Sequence, residues 1–216
     1  MTEEEWLSAT NPPPMLGFLR GKVSDRKLRL FACACCRRIW DLYLHHDSFR
    51  SIEVGEKFAD GEATNKDLRT ADELAMWAGD DASWTSMQEA TIAWTAAAAV
   101  QKTGILAANW AVYEMQSVFA GNEPKCEEEQ IAQCHLLREI FGNPFRPVAL
   151  NPSWLSSTIL ALANGIYAER AFDRMPILAD ALQDAGCENL AILDHCRSTG
   201  PHVRGCWVVD LVLARI

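Results

Sequence analysis

The sequence predicts an all-α protein: a single-domain irregular helical bundle of about ten helices spanning 1–216. Two layers, about 1–141 and 155–216, are joined by an extended Pro-rich connection at about 142–154. Three observations predict it. Helix caps and stop residues recur along nearly the whole chain, apolar residues follow a helical rather than an alternating period, and no repeat of fixed length interrupts them. With 216 residues and 49% hydrophobic content, the chain can bury a core without metal or disulfide staples.

The elements follow in order. "NPPP" opens a short helix at 15–20, because proline is tolerated in a first helical turn. Ser24 or Asp25 caps a long helix reaching about Leu44, and Asp47 or Ser48 caps the next, which Gly61 stops. Thr64 starts a helix ending near Gly79, Ser83 one ending near Gln101, and Thr103 or Gly104 one ending at Gly121. "PKCEEEQIAQCHLLREIFG" has acids in its first turn, Arg138 near its end and Gly142 as its stop, as the helix dipole favours. Three prolines between 144 and 152 then forbid regular helix. Helices at about 155–171, 175–185, 188–196 and 201–214 complete the chain, the last with Pro201 in its first turn.

Charge narrows the function. The net charge of −9 is concentrated at 51–130, where fifteen acids face five bases. Such a field repels phosphate backbones, so nucleic acid is not an expected partner. No apolar stretch approaches a membrane span, and "MTEEEWLSATNPPP" has no leader-like apolar run, so a cytoplasmic protein with mostly reduced cysteines is expected. There is no P-loop, GxGxxG, HExxH, GxSxG or EF-hand loop, so catalysis has no motif behind it.

Chemistry-bearing residues fall in two places. In "FACACCRRIW" (31–40), helical spacing puts Leu28, Phe31, Ala32, Cys35, Cys36, Ile39, Leu42 and Tyr43 on one apolar arc. Cys35 and Cys36 then act as small hydrophobes. Cys33 falls on the polar side, one turn from Arg29 and Arg37, where guanidinium groups would favour its thiolate; it is the candidate reactive thiol. In "GCENLAILDHCRSTGPHVRGCWVVD", Cys187, His195, His202 and Cys206 offer four candidate ligands for zinc, although their spacing matches no familiar zinc motif. His202 and Cys206, four apart, are expected on one helix face. Trp77, Trp84, Trp94 and Trp110 fall among alanines, as core filling or as the lining of a small apolar ligand cavity.

"SDRKLRLFACACCRRIW", "IFGNPFRPV" and "ERAFDRMPILADALQDAGC…HCRSTGPHVRGCWVVD" resemble a bacterial family of uncharacterised proteins that occurs as many paralogues within single genomes. Some members carry an SMI1/KNR4-like or repeat-companion label. The resemblance covers about 3–60 and 137–214 and implies no activity, cofactor or site residue. The SMI1/KNR4 label implies an α/β interaction domain, which the helical pattern does not fit. The leading expectation is a non-catalytic interaction or adaptor domain that binds a protein partner through a basic face including Arg26, Arg37 and Arg38. The alternatives are a zinc- or thiol-dependent enzyme and a binder of small apolar ligands.

Overall fold

The computed structural model describes residues 1–42, 45–84 and 86–215. Among them are twelve α-helices, three short 3-10 helices and no strand, so the chain is all-α. It divides into two compact units, Met1–Leu137 and Arg138–Ile216. The boundary lies inside a helix, a few residues before the proline-rich segment.

The first unit holds α1 (Glu3–Ser8), α2 (Pro12–Leu19), α3 (Asp25–Arg37), α4 (His46–Ala59), α5 (Asn65–Ser83), α6 (Met87–Ala98), α7 (Gly104–Val118) and most of α8 (Glu123–Phe141). The first of these was not anticipated, yet it carries a full capping box between Thr2 and Glu5. In this unit α3 packs on α4 and α7, and α5 packs on α4 and α6.

Three boundaries differ from expectation for physical reasons. The helix expected to reach Leu44 ends at Arg37 and passes into a 3-10 turn at Trp40–Leu42, while Tyr43 and Leu44 lie outside the described residues. Gly79 does not end its helix, since α5 continues to Ser83. Its missing side chain makes room instead: a Cβ there would run into the Trp94 ring. The helix expected from Pro201 begins only at Trp207, because the preceding backbone turns at Gly205 with φ near +89°.

α3 is buried almost all round rather than on one arc. Leu28, Phe31, Ala32, Cys35, Cys36 and Ile39 are in the core as expected, but so are Arg29, Leu30 and Cys33. The α4 helix covers the side that looked polar, while its Gly55, having no side chain, lets it close onto Ala99 at the end of α6. Ser51 on α4 donates to the Ala71 carbonyl of α5, and the Cys36 thiol to the Thr95 carbonyl of α6.

The second unit holds the last turn of α8, an irregular stretch to Asn151, α9 (Ser157–Glu169), α10 (Met175–Asp184), α11 (Leu190–Arg197) and α12 (Trp207–Val212). Its core is built from Ile159, Ile166, Met175, Leu178, Leu182, Ile192, Val208 and Val212, with Cys187, Cys196 and Cys206 among them. All eight cysteines are free thiols. No helix among the described residues is long and apolar enough to cross a membrane.

Candidate metal centre

The second unit gathers four possible ligands. Glu139, His195, His202 and Cys206 each offer one donor atom, and these atoms all lie within 4.8 Å of one another. Three different local reasons place them. Glu139 sits in the last turn of α8, just before Gly142 turns the backbone with φ near +64°. His195 sits in the last turn of α11, whose start is capped by the Asn189 side chain. His202 and Cys206 belong to the connection entering α12, with Cys206 as its N-cap residue. They converge through a loop, not through the shared helix face that their spacing suggested.

The distances are short and reciprocal. His195 Nε2 lies 3.2 Å from a Glu139 oxygen and 3.2 Å from Cys206 Sγ. His202 Nδ1 lies 3.1 Å from the other Glu139 oxygen. Tetrahedral zinc with ordinary bond lengths needs ligand atoms about 3.3–3.6 Å apart, so a small expansion would admit an ion. The side chains of Glu139, His202 and His195 are only 4%, 6% and 15% exposed, and Cys206 is fully buried.

Electrostatics favour a charged centre. Burial alone would raise the Glu139 carboxyl, but hydrogen bonds from His195 and His202 outweigh it and hold it below the ordinary value. Burial alone would lower the His202 imidazole, but its bond to Glu139 outweighs that and raises it. Burial, with Glu139 nearby, pushes the Cys206 thiol well up. A divalent cation would reverse that last effect, since a coordinating thiol is deprotonated outright.

Of the four residues singled out from sequence as ligands, three are brought together. Cys187 is not; it lies in the apolar core after α10, where the Gly186 turn carries it inward. Glu139 takes its place, and the sequence held one signal for it. A carboxylate in the last turn of a helix opposes the dipole, and this one lies among Leu136, Leu137 and Ile140, all buried.

The remaining candidates are elsewhere. Cys33 is buried, with Sγ 3.9 Å from the Ile52 carbonyl oxygen. Burial, then Glu56, pushes its thiol well above the ordinary value, and Arg29 and Arg37 offset this only in part. The activated thiolate expected from its arginine neighbours is therefore absent. Arg26, Arg37 and Arg38 do not form a free basic face. They pair within the first unit with Asp60 (3.2 Å), Glu56 (2.6 Å) and Glu129 (2.8 Å), each of these acids nearly buried. The tryptophans divide: Trp77 and Trp84 are 61% and 89% exposed, while Trp94 packs on α5 at Gly79 and Trp110 donates to Glu114.

Fold and site together define an all-α protein with a candidate Glu/His/His/Cys metal centre. No family model, curated protein or solved structure matches this chain.

Proposed function

We propose that residues 138–216 form a metal-binding module whose ion, zinc by donor chemistry, is held where the last turn of α8, the end of α11 and the start of α12 meet. The observation that carries this reading is the convergence of Glu139, His195, His202 and Cys206 on one point. Imidazole with a thiolate suits a borderline-soft cation, and the mixed set with a carboxylate is within zinc's usual range. The depth of the site leaves little approach for a large substrate, so only a small exogenous molecule could reach the ion. The test is elemental analysis of the full chain purified without added metal, followed by thermal unfolding with and without a chelator. About one zinc per chain and a lower Tm after chelation are expected, both lost in Cys206→Ser. Absence of bound metal, with no Tm change on adding zinc, would refute the reading.

A second reading, a protein-interaction role, rests on a different surface from the one the arginines suggested. Trp77 on α5 and Trp84, the residue that caps its C-terminal end, are exposed on the same side as Glu73, Asp80 and Asp81. Exposed indoles among acids suit a Lys/Arg-rich segment through cation–π and ionic contacts. Titration with a lysine-rich helical peptide should show salt-sensitive binding that Trp77→Ser/Trp84→Ser abolishes; binding unaffected by that change would refute it.

A further inference from the structure

The two imidazoles of the centre are held in opposite ways. His202 turns Nδ1 to Glu139 and Nε2 to the Ser198 carbonyl oxygen at 3.3 Å. A carbonyl only accepts, so Nε2 carries a proton; without an ion Nδ1–H donates to the Glu139 carboxylate, and release of that one proton leaves a neutral ring whose Nδ1 presents a lone pair to a cation. This is the outer-nitrogen arrangement of a ligating histidine.

His195 is held the other way round. Its Nδ1 lies 3.0 Å from Trp207 Nε1, and an indole N–H can only donate. Nδ1 must therefore accept, and neutral His195 keeps its proton on Nε2, the nitrogen that faces Glu139 and Cys206. A protonated nitrogen cannot ligate. Coordination through Nε2 would shift the proton to Nδ1, against the Trp207 N–H, or would require an imidazolate. Trp207 has little freedom to withdraw: it follows Cys206 directly, and its ring lies over Gly142, where a Cβ would stand 3.2 Å away.

We infer that the centre is a three-ligand site, made by Glu139, His202 Nδ1 and Cys206 Sγ, with His195 as a positioning residue whose Nε2–H faces a fourth coordination position open to an exogenous ligand. That ligand is a water molecule or a small anion, since the surrounding side chains are almost wholly buried. Three protein ligands with one exchangeable position are the coordination pattern of reactive rather than purely structural zinc. This inference rests on the metal reading above and deepens it.

The full chain loaded with Co²⁺ tests it, using optical spectra, metal competition and an azide titration. Azide should shift the visible bands of the wild-type protein, as it does only where a coordination position exchanges. His195→Gln should keep one cobalt per chain with affinity reduced about tenfold, as for an outer-shell partner. His202→Gln and Cys206→Ser should lose more than about a hundredfold, the latter with its thiolate-to-cobalt band. Trp207→Phe frees His195 Nδ1 to carry the proton, so it should tighten cobalt binding and abolish the azide response. Equal losses in His195→Gln and His202→Gln, or no azide response in wild type, would overturn the three-ligand assignment. Should a variant unfold, the wild-type azide titration decides alone. A wild-type chain that binds neither Co²⁺ nor Zn²⁺ would overturn the metal reading itself, a result distinct from either of those.

Discussion

Reversing the charge of Arg37 should destabilise the first unit markedly rather than simply alter its surface. Arg37 meets Glu56 in a two-pronged pair, Nε to Oε1 at 2.6 Å and Nη2 to Oε2 at 2.9 Å, and its guanidinium stacks 4.4 Å from the Trp40 ring centre. The two side chains are 24% and 4% exposed. Breaking a buried pair from one side costs about 3–5 kcal/mol, chiefly because the other charge stays behind. The partial exposure of Arg37 admits some solvent screening, which brings the expected loss for Arg37→Glu to about 2–4 kcal/mol. That is a large share of the roughly 5–15 kcal/mol by which domains are stable. In urea, with a slope of about 2 kcal/mol/M, the midpoint should fall by roughly 1–2 M. Far-UV circular dichroism reads the transition directly, and Arg37→Glu/Glu56→Arg should recover at least half of the loss. A reversed variant within about 0.5 kcal/mol of wild type, the ordinary range for open surface, would refute the reasoning and return Arg37 to the free face that the sequence suggested.

Other predictions concern thiols and close contacts. Burial pushes Cys33 and Cys35 well above the ordinary thiol value of 9.0, so above that pH the unfolded chain sheds protons that the folded chain keeps. Stability should therefore fall as pH rises past 9, by about 1.4 kcal/mol per thiol at pH 10, measured as urea midpoints at pH 8 and pH 10. Iodoacetamide at neutral pH should label neither thiol in the native protein; rapid labelling of Cys33 would contradict its burial. Gly79→Ala should destabilise by about 2–3 kcal/mol despite alanine's better helix propensity, since its Cβ would strike the Trp94 ring, and Trp94→Leu should relieve most of the cost in the double variant. Gly142→Ala combines a positive φ with the Trp207 contact, so it should cost about 1–2 kcal/mol and weaken metal binding in a chelator competition.

The fold class and most helix starts could be read from local chemistry, because caps act within one turn. Thr64, Ser24 and Thr103 each accept the expected backbone hydrogen bond. What local reading missed depended on neighbours distant in sequence. Gly79 has the look of a stop residue until Trp94 is placed against it. Helical periodicity on α3 separates an apolar arc from a cationic one, yet α4 supplies Glu56 and Ile52 to the second and buries it. The centre was legible in part for the same reason. His195, His202 and Cys206 lie close in sequence, whereas Glu139 is 63 residues from His202 and joins them only through the tertiary fold. The loop before α12 also defeats helical spacing as a guide: Gly205 turns the chain so that His202 and Cys206 meet without sharing a helix.

The alanines at 96–99, all wholly buried, and Gly55, whose Cβ would lie 2.6 Å from the Ala99 carbonyl oxygen, have a consequence for how this chain can evolve. Distances between its helices are measured from main chain to main chain, so its smallest side chains are its least exchangeable. Random drift toward bulkier, greasier residues, harmless in many cores, would pry these rods apart. A mutational library should therefore find more freedom at buried leucines, which have neighbours able to repack, than at any of these methyl-sized positions.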